Sequence, residues 1–359
     1  MAESVTISFG AAPAAVGSPA LLVQLRPVAF GFAGLCTSLT ACMIAVTILG
    51  SAADGDPVVS ISLTPASSVS EKSAEGVTAK SFLASRSLAG HLVADPQLIE
   101  DTIDGPLPKR AAGGREAREV YSRPFDRSDT RPKIAIVVGG LGVGANVTEA
   151  AIRTLPPAVT LGYVPFGGNP QGEADRAREA GHEVLLEVPM EPFDFPNSDP
   201  GPHALLTSAP ADENIKRFHW SLSRFTGYAG FTPLLGARFL SETDAIEPIL
   251  KDGAERGLYF FDSGMSVRSL AGTAARHANA AITTGTLILD EILTAAAIDD
   301  KLVKLESQAR ANGFAIGVGY ASPVTVLRIA EWAAAAGERG FHLVPVSALA
   351  QKPAASPSQ

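Results

Sequence analysis

From Lys133 onward, short runs of Val, Ile and Leu alternate with segments whose apolar residues recur at spacings of three and four. Lys133-Ile134-Ala135-Ile136-Val137-Val138 is a continuous apolar run ending in Gly139-Gly140, the pattern of a strand buried on both faces. Asn146 with Glu149 three residues later is a capping-box pattern, and Ala151, Ile152 and Leu155 then line one helical face until Pro156 and Pro157 stop it. Val159 to Val164 is the second predicted strand, and the helix after it opens at Asn169-Pro170 and closes at Gly181. The third strand runs from Glu183 to Val188. A proline-rich loop, Pro189 to Pro202, precedes a helix marked by Ile215, Phe218, Leu222 and Phe225 and ended by Gly227. Further strands are predicted at Tyr228 to Phe231, Leu258 to Phe261, Ala281 to Leu289, Ala315 to Gly319 and His342 to Val346, with a helical segment carrying Ile298, Leu302 and Leu305 among them. Repeated β-then-α units with short connections imply an α/β domain, residues 132–350, on a largely parallel sheet. Whether that sheet closes as a barrel or stays open, its chemistry gathers where the strands end.

The amino-terminal third has a different pattern. Val28 to Gly50 carries no charged residue and enough Phe, Leu, Ile, Val and Met to span a bilayer, so residues 28–50 are expected to be a transmembrane anchor. Arg26 precedes the stretch, and Asp54 and Asp56 follow it. This bias keeps residues 1–27 cytoplasmic and puts the domain outside the cytoplasmic membrane, in the periplasm of a bacterial cell. The alternative is a cleaved signal peptide, with small residues for a peptidase at Gly50-Ser51-Ala52-Ala53; in both cases the domain is exported. Residues 51–131, rich in Ser, Ala, Pro and charge, read as a flexible linker, and residues 351–359 as a disordered tail.

Charge and cysteine content narrow the function classes. The formal net charge is −8, which opposes binding to nucleic acid unless a basic patch intervenes. The arginine-rich stretch containing Arg110, Arg115, Arg118, Arg123, Arg127 and Arg131 is interleaved with Glu116, Glu119, Asp126 and Asp129, which dilutes its field and marks a solvated linker. Both cysteines, Cys36 and Cys42, lie in the apolar stretch. The domain therefore has no disulfide, thiolate ligand or cysteine nucleophile. Gly140-Leu141-Gly142-Val143-Gly144-Ala145 fits a dinucleotide fingerprint, but no carboxylate ends the second strand to bind a ribose, so these glycines are turn residues. Ser263 beside Asp262 lacks the glycines of a nucleophile elbow and a placed His partner.

A more specific signal lies in an ordered series: Gly181-His182-Glu183-Val184-Leu185-Leu186-Glu187-Val188-Pro189-Met190-Glu191-Pro192, Asp199-Pro200-Gly201-Pro202, Leu205-Leu206-Thr207, Leu222-Ser223-Arg224-Phe225 with Gly227-Tyr228, Gly236-Ala237-Arg238-Phe239, Phe261-Asp262-Ser263, and Leu343-Val344-Pro345-Val346-Ser347-Ala348-Leu349. Together these resemble the divergent polysaccharide deacetylase family, distant relatives of the NodB-type carbohydrate esterases. The resemblance implies a distorted (β/α) barrel with a cleft over the carboxyl ends of its strands. It also implies a divalent metal, held by Asp and His, that activates water against an N-acetyl group on a sugar while a second carboxylate acts as base.

This chain departs from that pattern where the chemistry would sit. Gly139 and Gly140 stand in place of an Asp pair, Leu234 and Tyr320 in place of His, and Glu187 in place of another common His. Acidic residues remain at predicted strand ends. Glu187, Glu191 and Asp262 are the candidate catalytic or base residues, with Arg238, Asp290 and Ser263 as candidate substrate contacts and Glu291 nearby. No cofactor is expected; Mg or Ca would enter only through a rebuilt, oxygen-rich site. The sequence thus supports a membrane-anchored, envelope-facing protein that binds an envelope glycan or an envelope protein without the family's metal-dependent hydrolysis. Two alternatives stand beside it: an active carbohydrate deacetylase with rearranged carboxylates, and a non-catalytic envelope scaffold.

Overall fold

The computed structural model describes residues 94–352. The expected anchor at 28–50, and with it the localisation, lies outside the described residues; among those described, no helix is long and apolar enough to cross a membrane.

The core is a parallel sheet of β3 (Lys133–Leu141), β4 (Thr160–Tyr163), β5 (Val184–Met190), β6 (Gly230–Leu235), β7 (Tyr259–Asp262), β8 (Ile282–Thr284), β9 (Leu287–Ile288), β10 (Phe314–Tyr320) and β11 (His342–Leu343). The hydrogen-bonded order is β8-β7-β6-β5-β4-β3-β10-β9, with β11 also on β3. Only Gly285 and Thr286 separate β8 and β9, which are the two ends of that order. Three peptide links span at most about 11 Å, whereas eight flat strands would hold their edges roughly 33 Å apart, so the sheet must curl until its edges meet. Gly285 N–H donates to Asp262 O on one side at 2.8 Å, and Thr286 N–H to Ile316 O on the other at 2.9 Å. The result is a distorted barrel.

Helices α2 (Ala145–Thr154), α3 (Pro170–Glu179), α4 (Ala211–Leu222), α5 (Thr243–Glu255), α6 (Ala271–His277), α7 (Ala295–Asn312) and α8 (Pro323–Ala334) follow the strands. Their apolar faces meet the sheet; Phe231, for example, packs its ring 4.9 Å from Phe218 and 5.1 Å from Phe260. Caps follow local chemistry. The side chains of Asn169, Thr294 and Ser322 accept the first free amides of α3, α7 and α8, and Gly313, at φ 80°, ends α7.

Several expectations are corrected. Asn146 is inside α2 rather than at its cap, which is Gly144. Thr148 instead turns its hydroxyl back to accept from Gly142 N–H, fixing the turn after β3. The predicted strand Ala281 to Leu289 is split, because the chain crosses there from one edge of the sheet to the other. Gln351, placed in the tail, bridges to Ile282.

The largest correction concerns the linker, since residues 94–131 belong to the domain. They form a hairpin, β1 (Ile99–Thr102) and β2 (Gly105–Pro108), and a short helix, α1 (Ala117–Val120), all packed at the end where the strands begin. The interleaved arginines are clamps. Arg110 donates to the carbonyls of Ala254 and Glu255 at the end of α5, Arg123 to Gly181 O beyond α3, and Arg131 to Gly337 O beyond α8. The Arg110 contacts place a cation at the negative end of α5, and the other two tie the loops beyond α3 and α8 to this segment. Leu98 and Leu107 join the core at 1% and 4% exposure, a burial that the Ser/Pro-rich composition concealed.

Candidate functional site

Parallel strands put all their carboxyl ends at one end of the barrel, and the candidate residues collect there. Strand β5 is buried along its whole length, so a polar residue on it faces protein whichever way it points. Glu187 points inward, over β3 and β4. A Cβ on Gly139 would collide with Glu187 Oε1, and one on Gly162 would stand 3.2 Å from it. Gly139 on β3 and the glutamate on β5 are therefore sterically complementary: the carboxyl of Glu187 fills space that a larger residue 139 would need. Glu187 accepts from Gly140 N–H at 2.9 Å. Burial dominates its environment and pushes its pKa up to about 8, against the smaller opposing effect of that amide. Near neutral pH the group is mostly a neutral acid.

The other acidic residues are tied into loops. Glu191 pairs with Arg238, Oε1 to Nη1 at 3.1 Å, while its Oε2 accepts from Thr207 N–H at 2.6 Å and Thr207 Oγ1 at 2.7 Å. Its backbone carbonyl also receives Arg238 N–H and Phe239 N–H, each at 3.1 Å, locking the loop after β6 onto the loop after β5. Asp262 ends β7 and accepts from Gly264 N–H at 3.0 Å and Ser269 Oγ at 2.6 Å. Asp290 accepts from Tyr320 N–H at 2.7 Å and Thr325 Oγ1 at 2.9 Å, and burial raises its pKa more than these donors lower it. Ser263 is buried beside Asp262, with its carbonyl against Gly285. Glu291 pairs with Lys301 outside this set.

Tyr320, where the resemblance implied a histidine, packs against Glu187. Its Cε1 lies 3.4 Å from where a Gly139 Cβ would stand, next to Glu187, and its hydroxyl contacts Met265 Sδ at 2.9 Å. Burial and the nearby acids Glu187 and Asp290 raise its pKa, so it stays a neutral phenol. Ser269 and Thr325, the partners of Asp262 and Asp290, carried no sequence signal, because the contact depends on how loops fold back. Thr207 was visible within its string, but not its bond to Glu191. Leu234 lies on β6 opposite Pro189, contributing hydrocarbon where the resemblance implied a ligand. Among the described residues no three His, Cys, Asp or Glu side chains converge to hold a metal ion.

Beside the Glu191–Arg238 pair an open groove of about 430 Å³ runs between the amino ends of α4 and α5, lined by Thr207, Asn214, Arg238, Glu242 and Asp244 among others. A small cavity of about 40 Å³ at the opposite end, by Arg123 and His182, belongs to the clamped base.

A curled parallel sheet with acids gathered at its carboxyl end fits a barrel of the deacetylase type. The family model described as divergent polysaccharide deacetylase matches residues 136–350, and the chain belongs to that family. It is 44% identical to the crystallised protein ATU2773 of Agrobacterium tumefaciens C58, with a TM-score of 0.67, over 68% of this chain and 99% of that one. It is also 26% identical to YibQ of Escherichia coli K12 over 54% of this chain and 60% of YibQ, and 22% identical to a Haemophilus influenzae protein over 55% of this chain and 70% of that one.

Proposed function

We propose that the domain is a saccharide-binding member of its family that has given up metal-dependent deacetylation, and that it works at the outer face of the cytoplasmic membrane, held there by residues 28–50. The observation that carries this reading is the carboxyl of Glu187 standing in the space in front of Gly139. The donor set does not suit a divalent cation. Glycines occupy the positions of the Asp pair, Leu234 offers no electron pair, and Glu187 is a buried acid that holds its proton at neutral pH. A carboxyl in that state donates a hydrogen bond to a sugar hydroxyl or acetamide oxygen instead of ligating a metal. The groove beside Arg238 is within the size range of small-ligand sites, and its charged and amide side chains suit hydroxyl groups.

The test is an acetate-release assay on N-acetylated chitooligosaccharide and peptidoglycan fragments with Zn, Co, Mn or Mg, run beside calorimetric binding of the same sugars. Binding without release, weakened in Arg238→Ala, is expected. Metal-dependent release that disappears in Asp262→Ala would overturn the reading in favour of a rearranged active site. Absence of any sugar binding, with cleft variants behaving as wild type in cells, would favour a scaffold.

A further inference from the structure

The mouth of the barrel is ringed by uncovered hydrocarbon. Phe166 follows β4, Phe193 follows β5, Met265 and Val267 follow β7, and Ile292 and Leu293 follow β9; all are exposed, Val267 fully. Because the strands are parallel, these loops share one end of the molecule. Contacts tie them together: Arg268 lies over the Phe193 ring at 5.6 Å, and Tyr320 reaches Met265. Elsewhere the exposed large apolar side chains, such as Val303 on α7 and Leu327 on α8, stand singly and need no explanation. The open polar groove beside Arg238 lies at this same end, so apolar rim and polar groove together complement an amphiphile, a hydrated head attached to a hydrocarbon tail.

We propose that this rim seats the mouth on a lipid bilayer and that the saccharide taken by the site is lipid-linked. The proposal rests on the saccharide reading above and names the substrate class for it. The chain supplies the argument for a bilayer over other apolar partners. Residues 28–50 are uncharged and long enough to span one, and residues 51–93 join that stretch to the described domain at its clamped base, opposite the mouth. Such a connection extends to at most about 145 Å, against roughly 45 Å for the diameter of a domain of this size, so the mouth can turn to the membrane that holds the chain. The chain's net charge of −8 opposes adsorption to anionic lipid, so apolar contact with neutral lipid is the expected mode of docking.

The experiment is vesicle flotation of residues 94–359. A cooperative melting transition of the fragment, matching that of the full chain in detergent, is established first, and the full chain reconstituted in vesicles is measured beside it. Phosphatidylcholine vesicles are used with and without a lipid-tailed N-acetylglucosamine disaccharide, and the free disaccharide is titrated in parallel. The fragment is expected to float with the glycolipid vesicles, less well when anionic lipid is added. Val267→Asp and Ile292→Asp should each lower the bound fraction about tenfold while leaving melting temperature and affinity for the free sugar unchanged. Equal affinity for free and vesicle-borne sugar with silent rim variants would overturn the proposal and leave the saccharide reading standing. Vesicle binding indifferent to the sugar would overturn the lipid-linked substrate. Sedimentation showing a dimer that Val267→Asp dissociates, without vesicle binding, would assign the rim to a second copy of the chain. Failure to bind either vesicles or free sugar would remove both readings.

Discussion

Two glutamates four residues apart face the barrel interior at its two ends, and their surroundings differ in kind. Glu183, at the base, is closed in by five donors: Thr160 Oγ1, Tyr259 OH, Ser347 Oγ, and the amides of Arg123 and Ser347. Glu187, at the mouth, accepts from the Gly140 amide and otherwise faces glycine and the Tyr320 ring. Burial raises both pKa values. The base uses its glutamate to join the segment before β3, the sheet and the carboxyl-terminal turn Val346–Leu349, whereas the buried acid at the mouth has a single amide donor. The comparison separates a buried acid that many donors tie into the fold from one held by a single amide.

The sharpest way to break this contrast is to remove each glutamate. Glu183→Ala strands its donors in the core and is expected to cost about 3–5 kcal/mol, read as loss of melting temperature and of denaturant midpoint. Glu187→Ala should cost clearly less at neutral pH, since one amide is left unpaired; equal losses would show that both ends serve only the fold.

A second test concerns the paired substitution. Gly139→Asp alone should destabilise by roughly 1–3 kcal/mol through overlap with Glu187, and adding Glu187→Ala should recover most of it, a coupling that a double-mutant cycle measures. Independent, additive effects would mean that Glu187 does not occupy the space in front of β3.

The third is a pH profile. A carboxyl whose pKa rises from 4.5 unfolded to about 8 folded binds its proton more tightly in the native state. Its contribution is therefore fully present below pH 4.5 and declines as pH rises toward 8. Glu187→Gln keeps the neutral form at every pH. It should match wild type near pH 4.5 and exceed it at pH 8 by an amount on the order of a few kcal/mol at most, measured by chemical denaturation. A constant difference across that range would contradict a protonated Glu187.

The smallest expected effect is at the base. Arg123→Ala removes the donor to Gly181 O and should cost about 1 kcal/mol, without altering sugar binding at the far end.

Alternation of β and α segments, the strand positions and the family membership could be read from the chain because apolar periodicity is a local property. The acidic set was legible too, as residues at strand ends. What escaped was everything set by contacts distant in sequence. Residues 94–131 looked like linker because their stabilising partners, the carbonyl ends of α3 and α5, lie far along the chain. The partners of Asp262 and Asp290 were not legible because Ser269 and Thr325 reach them only after loops fold back.

The sequence by itself determined the class of fold, the resemblance to the family and which acids end strands, since residue type and period are written in order along the chain. Only the tertiary structure decided that Glu187 fills the space before Gly139, that Glu191, Asp262 and Asp290 are already bonded, and that scattered apolar residues form one rim. A curled parallel sheet brings together residues far apart in the chain, and burial then sets which of them keep their protons.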